Sequence, residues 1–164
     1  TGCRPWSTAP GAPVQYAADL GPLRLLVLDS TRPGEARGEL DCARLEWLDA
    51  ELAAAPDRPT VLALHHPPVS TGIGAWDEIG LPVDDRRAFG EVVHRHPHVR
   101  RIVAGHIHRA MTGELAGRAV VAVPSTYVQG RLSFNSGELE TAPEPPGFGV
   151  HPCSTESSPR TSRR

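Results

Sequence analysis

Long apolar runs are missing from this 164-residue sequence, and without 18 or more consecutive apolar residues it offers no membrane-spanning helix of ordinary length. The opening segment also lacks the basic, apolar and small-residue succession of a secretion signal, so a cytoplasmic compartment and no membrane partner are expected. Cysteine is scarce and odd in number. Cys3, Cys42 and Cys153 are too widely spaced to suggest a disulfide framework or a zinc knuckle, and none is assigned a role. An excess of one charge is absent too: 17 Lys and Arg face 19 Asp and Glu, giving a net charge of −2. That balance argues against a nucleic-acid surface held by bulk charge.

Glycine and proline are plentiful, at 16 and 17 residues, and they gather in the connections and at both ends, as in a loop-rich α/β protein. Residues 1–13 show no period and read as an irregular lead-in. The run Leu23–Leu28 is short and nearly all apolar and ends in Asp29 and Ser30, which suits a buried strand. Leu45, Leu48, Leu52 and Ala55 then recur at helical spacing, with Asp41 placed to cap the first turn. A second strand from Thr60 ends in His65, His66, Pro67 and Pro68. A second helix carries Ala88, Phe89, Val92 and Val93 on one side, and a third strand runs from Val99 into Gly105-His106-Ile107-His108. Two more extended segments, from Arg118 and from Tyr127, are expected after it. Strands alternating with helices predict a mainly parallel sheet with helices on its faces, whose ligands collect at the carboxyl ends of the strands.

Eight histidines occur, seven of them between His65 and His108, and two pairs fall at neighbouring strand ends. In an extended segment residues i and i+2 point the same way, so His106 and His108 can converge on one metal or on two adjacent ones. Neutral imidazole suits zinc, iron, manganese, cobalt or nickel rather than calcium. Three or four histidines could hold a single zinc. Two close divalent ions need carboxylates to offset their repulsion, and Asp29, Asp77 and Glu78 are the nearby candidates. Asp29 reads better as a turn residue.

The segments LLVLDSTRPGEARGELDCARLEWLDAEL, TVLALHHPPVSTGIGAWDEIGL, VRRIVAGHIHRAM and VAVPSTYVQGRL, in that order, resemble the calcineurin-like metallophosphoesterase superfamily, above all bacterial class III cyclic-nucleotide phosphodiesterases and glycerophosphodiesterases. The resemblance implies residues 14–151 as the carboxyl-terminal part of a four-layer α-β-β-α sandwich lacking its N-terminal strands. It implies two divalent or mixed-valence ions (Fe, Mn, Zn or Co), a small phosphodiester substrate, attack by a metal-bridging hydroxide and, since relatives are often dimers, a homodimer. His65 and His106 would bind one metal and His108 the other. His66, Ser125 and Thr126 would border the substrate.

The family's first three motifs, Asp-X-His, Gly-Asp and Gly-Asn-His-Asp, are not found before Val14, and with them go the remaining ligands and the histidine that protonates the leaving group. No catalytic acid is therefore assigned. A truncated, misplaced or frameshifted reading of a longer phosphodiesterase is the expectation, with residues 152–164 disordered or out of frame. The competing expectation is a non-catalytic remnant that binds at most one metal through histidine.

Overall fold

The computed structural model of the protein describes residues 14–134 and 137–152. The lead-in at 1–13, the tail after Pro152, and with them Cys3 and Cys153, lie outside the described residues. Strands β1 (Tyr16–Leu20) and β2 (Leu23–Val27) form a hairpin whose turn uses Gly21 at φ 62°, a left-handed conformation that glycine adopts without a Cβ penalty. β3 (Thr60–Ala63), β4 (Val99–Ala104) and β6 (Arg118–Ala122) run parallel to β2, and β5 (Met111–Leu115) closes the far edge antiparallel to β6. The six strands stand in the order β1-β2-β3-β4-β6-β5.

Helix α1 (Cys42–Ala53) begins as the sequence predicts, the Asp41 carboxylate accepting from the Arg44 amide at 2.9 Å. Five-residue α2 (Gly74–Glu78) and 13-residue α3 (Val83–Arg95) follow β3. Strand residues Leu26, Leu62, Ile102 and Val120 meet Leu48 and Leu52 of α1 and Phe89, Val92 and Val93 of α3 in one buried cluster. Each such side chain contributes about 2 kcal/mol through burial.

Helices were expected on both faces, but all three lie on one. The steps β2 to β3 and β3 to β4 proceed in the same direction across the sheet, so right-handed crossovers deliver both long helices to the same side. The alternate residues Leu25, Val61, Val103 and Val121 face the other way and are only half-buried. The architecture is mixed α/β, with one main sheet and one helix layer among the described residues, where the resemblance implies four layers. Residues 147–152 cross part of the open face, tied by the Gly147 amide to the Ser125 carbonyl at 3.1 Å and by Arg101 to His151 at 3.1 Å.

Two local expectations are corrected. Strand β5 went unforeseen because Gly113 and Glu114 weaken its pattern. Of the extended segment from Tyr127, only β7 (Gln129–Gly130) pairs, with β8 (Thr141–Ala142). Among the described residues no helix is long and apolar enough to cross a membrane.

Candidate metal centre

Strands β3 and β4 stop side by side. The Leu64 amide donates to the Val103 carbonyl at 3.1 Å and the Gly105 amide to the His65 carbonyl at 3.0 Å, so both histidine pairs leave the sheet at one place. Pro67 and Pro68, both buried, end β3 because neither can donate to a ladder. Beyond Ala104 the chain is not extended. His106 and His108 adopt φ of 67° and 51°, left-handed values that are costly for residues bearing a Cβ. The two rings therefore owe their placement to a strained turn rather than to strand alternation. Ile107, 1% exposed, anchors that turn against Trp76, Ala104 and Ala122, and its amide donates to the Gly105 carbonyl at 2.8 Å.

Among the described residues, His65, His66 and His106 form the one group of three or more metal-capable side chains, with ligand atoms within 4.8 Å of one another. His65 Nε2 and His106 Nδ1 stand 3.1 Å apart. Two nitrogens on one tetrahedral zinc would be separated by about 3.3 Å, from a Zn–N bond of about 2.0 Å. His108 lies outside this group, its ring 5.7 Å from the Trp76 ring, which also stacks edge-on at 5.6 Å from His106.

His66 is held differently. Its Nδ1 meets the Ser30 hydroxyl at 2.9 Å, its Nε2 meets the Ala36 carbonyl at 3.1 Å, and its amide donates to Ser30 Oγ at 3.1 Å. Ser30 is fully buried. Gly38 lets the loop pass this ring, since a Cβ there would sit 2.7 Å from the His66 ring carbon. Ser30 and Trp76 were not anticipated as site residues. The position of Ser30 at the carboxyl end of β2, beside the end of β3, was the available signal.

The electrostatics keep these rings neutral. Burial, reinforced by the neighbouring imidazoles, pushes the His106 pKa down to about 3. Burial also lowers His65 and His66. Neutral imidazole is the metal-binding form. Among the described residues His108 Nδ1 is buried with no hydrogen-bond partner. Such an orphaned polar atom is costly unless a ligand satisfies it, and with His65 Nε2 and His106 Nδ1 at the spacing of two ligands on one ion the residues present fit a metal.

The carboxylates do not join this group. Asp77 accepts from Ser70 Oγ at 2.5 Å, Thr71 amide at 2.8 Å and Gly72 amide at 3.2 Å. Burial alone would raise its pKa, but those hydrogen bonds outweigh it and hold the carboxyl below its usual range. Asp29 is a turn residue as expected, accepting from the Thr31 amide and hydroxyl and from the Val14 amide. Ser125 Oγ accepts from the Tyr127 amide at 3.0 Å, and Thr126 lines a cavity with Val123, Phe148 and His151 on the open face.

No family model matches the chain. Individual proteins do. It is 39% identical over 121 residues to the 3′,5′-cyclic adenosine monophosphate phosphodiesterase CpdA of Escherichia coli K12, covering 72% of this chain and 42% of that protein. It is also 39% identical over 127 residues to a probable cyclic nucleotide phosphodiesterase of Rhodococcus erythropolis, covering 76% and 40%. The chain is part of the calcineurin-like metallophosphoesterase superfamily. A dimetal phosphatase of Danio rerio shares the fold, with a TM-score of 0.53, 17% identity, and coverage of 70% of this chain and 48% of the other. The chain spans about two fifths of the length of the curated relatives it matches.

Proposed function

We propose that this chain contributes the histidine side of a phosphodiester-hydrolysing metal centre, with His65 and His106 on one ion and His108 on a second. When bound, divalent ions of this kind acidify water and neutralise phosphoryl charge. The chain's own residues do the positioning. The β3 and β4 ends bring His65 and His106 together, the Ile107 anchor fixes the turn, and Ser30 holds His66 at the wall of the site, where it, Thr126 and the loop shaped by Ser125 border the substrate. A small phosphodiester, cyclic-nucleotide or glycerophosphodiester in type, is the substrate class, because relatives along most of this chain carry that activity in their names. The observation that supports the reading most is the 3.1 Å approach of His65 Nε2 to His106 Nδ1, with the buried His108 Nδ1 unpartnered among the described residues.

A second reading, a histidine protein that binds one metal without turnover, is favoured by the absence of a carboxylate from the convergent group among the described residues. The two readings separate in one experiment. The chain is loaded with Mn(II) or Zn(II), its metal content is measured, and hydrolysis of cyclic AMP and of bis(p-nitrophenyl) phosphate is followed. Two ions per chain with diester hydrolysis that His108→Ala removes support the first reading. One ion per chain without hydrolysis supports the second.

A further inference from the structure

We infer that Tyr127 is a specificity-determining residue that stacks on the planar ring of a nucleotide ligand. The inference rests on the reading of the histidine centre as a phosphodiester site. The loop carrying Tyr127 leaves β6 where Ala122 pairs with Ala104, immediately before the histidine turn, and the Val123 amide donates to the Ala104 carbonyl at 3.2 Å. It returns to the same turn at Gly130, whose amide donates to the His108 carbonyl at 3.3 Å. Both ends of the loop are therefore fastened to the segment bearing His106 and His108.

The loop is also fastened internally. Gln129, 2% exposed, accepts from the Ser125 amide at 3.0 Å and donates to the carbonyls of Ser125 at 2.8 Å and Pro145 at 3.2 Å. Ser125 Oγ accepts from the Tyr127 and Val128 amides. At the tip of this braced turn Tyr127 is 89% exposed. These bonds fix the backbone that carries the ring, which stands exposed at the ligand-binding end of the parallel strands. The substrate class proposed above contains members with a heterocycle and members without, and an exposed aromatic face on a braced loop favours the former by stacking.

The test is calorimetric titration of the Mn(II)-loaded full chain, its Tyr127→Phe variant and its Tyr127→Ala variant with AMP, glycerol 3-phosphate and inorganic phosphate. The expected result is AMP binding about tenfold tighter than glycerol 3-phosphate in the parent and in Tyr127→Phe, the scale of one stacked base. Tyr127→Ala should lose that preference and keep its affinity for glycerol 3-phosphate. Retention of the AMP preference in Tyr127→Ala would overturn the assignment while leaving the phosphate centre standing. Failure of every protein to bind inorganic phosphate or AMP would overturn the centre and the Tyr127 assignment together.

Discussion

His106 concentrates the account in one side chain, because it is buried, left-handed in φ and, through Nδ1, 3.1 Å from His65 Nε2. Replacing it by alanine should lower metal affinity by more than about 100-fold, beyond the 10- to 100-fold typical of a residue that only supports a ligand. Metal titration with a competing chelator measures this. Ser30→Ala acts on stability instead: it leaves a buried His66 nitrogen unsatisfied and should cost about 1–3 kcal/mol in denaturant unfolding, with metal affinity little changed. The pH dependence follows from burial. The folded His106 pKa, about 3, lies below the ordinary histidine value of 6.5, so between those values the unfolded chain binds more protons than the folded one. Stability of the metal-free chain should be fully present above about pH 7 and fall as pH drops through 6.5 towards 3. Lowered carboxyls at Asp29 and Asp77 act in the same direction at the acid end, being lost as pH falls through their depressed values. Calorimetric Tm across pH 7.5 to 4 checks it, and a Tm that rises on acidification would contradict it.

Between elements, the centre depends on close approaches that only small residues permit. A Cβ at Gly130 would lie 2.6 Å from the Ile107 carbonyl oxygen and 2.9 Å from the Trp76 ring, so Gly130→Ala should push apart the β7 strand, α2 and the histidine turn. A loss of about 1–3 kcal/mol in denaturant unfolding is expected, as for other overpacked sites. Gly74→Ala, with nothing within 4 Å, should be neutral or slightly stabilising. The elements themselves were largely legible in the sequence. Strands ending at Ala63 and Ala104, and helices capped by Asp41 and led by Asp84 and Asp85, follow from period and turn chemistry, and those ends placed His65 and His106 in one neighbourhood. What was not legible depends on chain reversal. The positive φ of His106 and His108, the Ser30 anchor under His66 and the Trp76 wall arise from contacts between segments 30–40 residues apart, which carry no local period. The one-faced helix layer was hidden for a similar reason, since it depends on strand order rather than on any single strand.

The whole molecule carries an imbalance between the two faces of its sheet. One is sealed by α1 and α3, while the other presents Leu25, Val61, Val103 and Val121 half-buried, bordered by Tyr16 and Leu20 at 51% and 55% exposure. A face of this kind favours association. Sedimentation velocity should show concentration-dependent self-association, reduced by Val61→Lys, and a monomer at every concentration would contradict it. Among the described residues, the metal-capable group at the ends of β3 and β4 presents imidazole without a carboxylate. Metal binding is thus the claim on which the functional proposal stands. X-ray absorption of the zinc-loaded chain tests it most directly. A shell containing at least two imidazole nitrogens at about 2.0 Å, lost in His65→Ala and in His106→Ala, is the predicted result. A zinc shell indifferent to both substitutions would contradict the account.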